Sequence, residues 1–449
     1  MLAGIFGTGI RVGANLLLLP LVVLKLSSSE LALWWVFLAL GNFGNLADFG
    51  FGNTIPRIYN YLFAGAEDFD AEGLREAKEG AKPNFAGMNR LNAAVRSLYL
   101  KISLAAAGLL AIGGTIFLMK SAAESGHPQK IWFLWGAFIV AITYNLATCH
   151  WTQAVQGLNR MRDMQVVYIW GGLSYAASAA LLLLCHAGLA SMVVATFIKG
   201  FVMHGRCCQI FRQVVPAPAE RVAPDRHVVK KLWPNSYKFG IISLGGYCMA
   251  NANVLICNQL LGKDITASYG LTAQIGNYLM SFASLWLGVK WPQIAMLRTQ
   301  GRMVEMAVLF ARRLSLVMLS FVGMGLMVLL AGHPLNALLA WKGSHTRLLA
   351  TPYLAFYLVY LTEGMFAIQF GMLAFTENVV PFFKVALYTG LGVVVGSLVL
   401  TPLFGLWGLL AAPLIADLAC NFWFTVRRGF QGQPLAPRQL VLAAIRGHV

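Results

Sequence analysis

Charge is scarce in this chain, and negative charge above all: 17 aspartates and glutamates stand against 34 lysines and arginines in 449 residues. Charged residues make up 11% of the whole, 58% are hydrophobic and the mean hydropathy is +0.67. Ordinary soluble domains carry about 25% charged residues, so a soluble globular protein is excluded. The seven cysteines are odd in number and lack framework spacing, which rules out a disulfide scaffold; they read as small packing residues, with Cys207 and Cys208 as free thiols. The eight histidines are scattered, with no H-E-x-x-H pair and no cysteine cluster beside them, so no metal site is expected. No G-x-x-x-x-G-K-[ST] loop occurs, and ATP use has no support. We expect no cofactor.

What fills the chain instead is a series of twelve apolar windows, near 2–24, 31–56, 102–119, 131–153, 165–186, 188–205, 239–261, 265–290, 314–332, 350–376, 381–401 and 404–426. Each is close to the roughly 20 residues needed to cross about 30 Å of hydrocarbon. Hydrocarbon offers no partner to a free backbone N–H or C=O, and the runs are continuous rather than alternating, so each window must be a helix. The fold class is therefore all-α and polytopic. The first window opens without a basic leader or a cleavage site before Ser27, so we expect it to be retained as a span.

Basic residues set the orientation. With the N-terminus cytoplasmic, 25 of the 34 lysines and arginines fall in cytoplasmic segments, 6 in outer loops and 3 (Arg11, Lys199, Lys290) within spans. That bias places both termini in the cytoplasm. The net charge of +17 then serves topology and contact with anionic membrane lipids rather than nucleic acid. Outer loops are short apart from 120–130 and 332–350, which leaves no room for an outer catalytic domain, and an enzyme is not expected. The cytoplasmic loop 57–101 is charge-mixed and suggests a surface helix, whereas 206–238, with Pro216, Pro218 and Pro224, reads as a linker.

That linker divides the chain into a first lobe at 1–205, the linker at 206–238, a second lobe at 239–426 and a cytoplasmic tail at 427–449. A shift of 235 residues lays Leu26 on Leu261 and Gly41-Asn42 on Gly276-Asn277, with Pro56 one place from Pro292. The pattern favours two six-helix lobes of the same topology, as in parallel transporter repeats.

The segment GNFGNLADFGFGNTIPR, from Gly41 to Arg57, follows a first helix with an embedded arginine. It resembles the second helix of bacterial polysaccharide-export flippases of the Wzx type, in the superfamily that also holds multidrug and toxin extruders and the peptidoglycan-precursor flippase. The resemblance implies two lobes around a central cavity, located in a bacterial inner membrane. It also implies transport of a lipid-linked oligosaccharide from the inner to the outer leaflet, alongside other membrane proteins of polysaccharide assembly. A multidrug extruder of the same architecture, or an integral-membrane glycan polymerase or transferase, is the alternative.

Ionisable groups at bilayer depth are functional candidates because leaving them there costs several kcal/mol unless they are paired or wet. Counting about 1.5 Å per residue from the outer boundary, Arg11, Lys199, Glu363 and Asp417 lie roughly 16–20 Å down and Asp48 roughly 25 Å down. Arg11, with Asn15 on the same face, either meets the diphosphate of the substrate, or snorkels, or ties the first span to the second through Asp48. Lys199 either joins it or reaches the interface. Arg57 and Lys290, at cytoplasmic span ends, are placed there by topology or capture the headgroup at the mouth. Asn251, with Asn253, Asn258, Gln259, Gln274 and Asn277, lines a sugar path or bonds helix to helix. Asp48, Glu363 and Asp417 are candidates for proton or sodium coupling, or structural partners of the cations.

Overall fold

The computed structural model of the chain describes residues 2–66, 82–123, 126–218, 223–224, 226–344, 346–376, 382–431 and 439, with the side chains of 2–12, 45, 53, 226–231 and 234–235 outside that description. Each of the twelve windows is mainly helix over its described residues, among which there is no strand. Eight helices are by themselves long and apolar enough to cross a membrane. The chain is a multi-pass membrane protein with a twelve-span architecture.

By contacts it divides into two compact units, Phe6–Tyr247 and Cys248–Val449 with Met1–Ile5. The first holds α1 (Leu2–Lys25), α2 (Ser28–Asn45), α3 (Phe51–Phe63), α4 (Phe85–Leu109), α5 (Thr115–Ala123), α6 (Pro128–Gly157), α7 (Met161–Leu184), α8 (Ala190–Val214) and the start of α9 (Arg226–Leu260). The second holds the rest of α9, α10 (Lys263–Gly288), α11 (Trp291–Thr299), α12 (Met303–Trp341), α13 (Thr351–Phe375), α14 (Phe383–Phe404), α15 (Leu406–Ala416) and α16 (Phe422–Gln431). Helix enters the segment 206–238 from both sides, through Val214 and from Arg226.

The order of elements repeats. A short helix follows α2 as α3 and follows α10 as α11, and each is succeeded by an unusually long helix, Phe85–Ala123 and Met303–Trp341, both of 39 residues. The paired glycines do the same work in each unit. A Cβ on Gly41 would lie 2.9 Å from Phe138 of α6, and one on Gly276 would lie 2.5 Å from Leu361 of α13. Without a hydrophobic drive between helices in lipid, such close approaches are what van der Waals packing is built from.

Four segments differ from their sequence reading. The second span is broken: a 3₁₀ turn at Leu46–Asp48 and positive φ at Phe49 (45°) and Gly50 (81°) separate α2 from α3. Gly50 is needed there twice over, for its left-handed backbone and because a Cβ would sit 2.6 Å from that of Phe239 on α9. Residues 85–101, expected as loop, belong to α4, whose Met88, Leu91, Val95 and Tyr99 are buried at helical spacing while Arg90, Arg96 and Lys101 face outward. The outer loop expected from Gly332 is helix as far as Trp341. Asn336 then anchors the returning chain, accepting the Leu348 N–H at 2.7 Å and donating to the Leu348 carbonyl at 3.2 Å. The last span contains a π-turn at Asp417–Asn421. The surface helix suggested for residues 67–79 lies outside the described residues.

Candidate functional site

In the first unit the chemistry gathers at the break between α2 and α3. Asp48 closes the 3₁₀ turn, and its Oδ2 accepts the N–H of Gly52 at 2.9 Å, so the carboxylate sits at the start of α3 where unpaired amides and the helix dipole favour an anion. Its Oδ1 accepts the Tyr99 hydroxyl, and Tyr99 in turn accepts from Gln153 Nε2. Both oxygens are thus engaged by groups of this unit. Gln153 is buried, and its Oε1 has no partner among the described residues. The Asp48 to Arg11 tie cannot be followed further, because the Arg11 side chain on α1 lies outside the described residues.

One turn along from Arg11, Asn15 is half-buried, and its Oδ1 is a buried acceptor with no partner among the described residues. Lys199 is an exposed residue of α8 whose Cγ passes Gly171 of α7. Arg57 is exposed on α3. The structure therefore leaves Arg57 and Lys199 on accessible faces and holds Asp48 half-buried.

The second unit treats its acids differently. Asp417, 1% exposed, lies in the π-turn and accepts from Asn421 Nδ2 at 2.8 Å; Thr425 donates to Asn421 Oδ1 at 3.0 Å. Glu363 of α13 lies beside Asp417, and the Tyr360 ring, one turn earlier, is close to both. Both Glu363 oxygens are buried, and neither has a hydrogen-bond partner among the described residues. Two carboxylates offer only acceptors, so a bond between them requires a proton on one. A π-turn is a common device for aiming side chains at a functional point, and here it turns Asp417 toward α13.

The remaining candidates are spread through this unit. Lys290 stands in the step between α10 and α11, the counterpart of the α2–α3 break, and donates to Gln293 Oε1 at 2.9 Å. Asn251 of α9 is half-buried. Its neighbour Asn253 is a helix-to-helix bond: Nδ2 donates to the Leu409 carbonyl at 3.0 Å and Oδ1 accepts from Ser397 at 2.8 Å.

Sequence reasoning left the acids as coupling groups or as partners of the cations and named no partner for Glu363; the structure puts Glu363 beside Asp417 and Asp48 against Tyr99. Tyr99, Gln153, Tyr360 and Asn421 were missed. The signals existed: the burial period that carries Tyr99, a glutamine inside an apolar span, and the i−3 and i+4 spacings of Tyr360 and Asn421 from their acids.

No family model matches the chain, and no curated protein matches it. Solved structures do. The MATE multidrug transporter DinF-BH aligns over 98% of this chain and 95% of its own with a TM-score of 0.67 at 12% identity. The chain has the fold of these membrane transporters. The lipid II flippase MurJ aligns over 99% of this chain and 89% of its own, at a TM-score of 0.63 and 11% identity. A MOP-superfamily transporter from Pyrococcus furiosus, in which reverse polarity of the binding pocket suggests a different function, aligns over 99% and 95% at 0.60 and 12%. One fold thus carries multidrug transporters and a lipid flippase, so the side chains have to decide the substrate.

Proposed function

We propose that the protein is an exporter of the flippase kind, moving a polyprenyl-diphosphate-linked oligosaccharide from the inner to the outer leaflet of a bacterial inner membrane by alternating access, with both termini cytoplasmic. The observation that carries this reading is the engagement of Asp48. Its two oxygens are taken up by Tyr99 and the Gly52 amide, so the first unit offers no free carboxylate from Asp48 to an organic cation, while Arg11 and Lys199 supply positive charge at depth. A diphosphate is the anion that such a pair suits. Arg11 and Lys199 bind it, Arg57 and Lys290 receive the headgroup at the mouth, and Asn15 and Asn251 bond the sugars.

Coupling is assigned to Glu363 and Asp417. Two carboxylates side by side offer only acceptors, so a proton or a monovalent cation held between them joins them and its departure parts them. Asp48 holds the bend that starts α3. The experiment is a flipping assay in liposomes with a fluorescent polyprenyl-diphosphate oligosaccharide under an imposed proton gradient; failure of the wild-type protein to move this lipid, with efflux of an organic cation in its place, would reverse the assignment.

That second reading, a multidrug extruder, is favoured by the Glu363 oxygens, which have no hydrogen-bond partner among the described residues and which a cationic substrate could meet. Arg11 and Lys199 weigh against it.

A further inference from the structure

The basic end of α8 carries a cavity that the transport reading does not use. Phe201, His204, Gly205, Cys208, Gln209, Arg212 and Gln213 line about 650 Å³ of open space. These positions recur every three to four residues, so they form one face of the helix over three turns. At the apolar end Phe201 is 63% exposed. Toward the basic end, His204 Nδ1 is 2.7 Å from the Tyr144 hydroxyl of α6, and the charges acting on His204 are those of Arg212 and, from α4, Arg96. Arg96 also acts on His150, which is 3% exposed and whose Nε2 has no partner among the described residues.

The surroundings fix the level of this face in the membrane. Arg206 lies 5.7 Å over the Trp170 ring, and a tryptophan under a cation beyond an apolar run is the pattern of the membrane–water boundary. The cavity thus runs from the acyl level at Phe201 to the headgroup level at Arg212. The charged residue of its lining is Arg212, and the charge of Arg96 reaches the same histidine.

We propose that this face of α8 is a binding site for an anionic phospholipid, its acyl chain along Phe201 and its phosphate among Arg96, His204 and Arg212. A zwitterionic lipid brings a choline or ethanolamine cation toward the same arginines and gains less. The site lies wholly within the first unit and is separate from the residues assigned to the transported lipid.

Native mass spectrometry of the detergent-solubilised protein, offered equimolar phosphatidylglycerol and phosphatidylcholine, tests it. Phosphatidylglycerol should be retained preferentially. Each arginine near a charged membrane surface contributes about fivefold, so Arg96→Ala and Arg212→Ala should each reduce the preference by about that factor, and the double variant by more than tenfold. Arg312→Ala, an exposed cation on α12 of the second unit, should leave it unchanged, and wild-type melting behaviour in all four variants would show that they fold. Equal retention of the two lipids by the wild type, or an undiminished preference in the double variant, would overturn the proposal. So would displacement of phosphatidylglycerol by millimolar inorganic phosphate, which would mark the cavity as a site for the free anion.

Discussion

The two units share an order of helices but treat their buried acids in opposite ways. In the first, Asp48 is placed at the start of a helix and both its oxygens are bonded, one to a backbone amide at 2.9 Å and one to Tyr99. In the second, Glu363 and Asp417 face each other, and the Glu363 oxygens find no partner among the described residues. Of the three acids only Glu363 has both oxygens without a hydrogen bond among the described residues, since Asp417 accepts from Asn421. On the proposed function, this contrast gives shape and anion binding to the first unit and coupling to the second.

The sharpest way to break this contrast is to neutralise one acid in each unit. Glu363→Gln and Asp417→Asn should each abolish the response of transport to a collapsed proton gradient, a loss of tenfold or more in driven flux. Asp48→Asn should keep that response. If the gradient dependence disappears in Asp48→Asn and survives in Glu363→Gln, the division of labour is inverted.

The next effect is on stability. Gly50→Ala forces a side chain into the left-handed region, at a cost of about 1–2 kcal/mol, and also into the backbone of α9; Gly301, at φ 72°, has open space around it. Thermal melts in detergent should therefore show a larger drop for Gly50→Ala than for Gly301→Ala. Equal drops would mean that strain alone matters and that the α3–α9 contact contributes nothing.

Much of this arrangement could be read in the sequence. The twelve spans follow from hydropathy, and the Gly41 and Gly276 steps already marked the repeat that the paired close contacts now explain. Arg11, Asp48, Glu363 and Asp417 stood out because charge is so rare in apolar runs. What hydropathy could not show is helix held by packing instead of by lipid. Residues 85–101 expose Arg90, Arg96 and Lys101 and bury Tyr99, so the average over a window reads as loop and hides the partner of Asp48. The pairing of Glu363 with Asp417 joins positions 54 apart in sequence, and no local pattern announces it.

Smaller effects sharpen the comparison at the level of single bonds. Tyr99→Phe removes the hydroxyl from between Asp48 and Gln153, leaving buried groups unsatisfied at roughly 1–3 kcal/mol, and should lower the melting temperature while leaving gradient dependence intact. Ser397→Ala, which removes one bond to Asn253 at 2.8 Å, should cost about 1 kcal/mol and leave transport unchanged. A Tyr99→Phe protein as stable as wild type would show that Asp48 is not held by that hydroxyl.

The central claim is that a cation of the first unit carries a diphosphate-linked glycan, and Arg11 is where it is most exposed to test. At an effective dielectric of about 20 a charge pair at contact distance is worth about 4 kcal/mol, less where water enters. In liposomes, Arg11→Ala should therefore flip the fluorescent polyprenyl-diphosphate oligosaccharide at least tenfold more slowly than wild type at equal abundance, with Arg11→Lys retaining part of the rate. Wild-type flipping by Arg11→Ala would contradict the account.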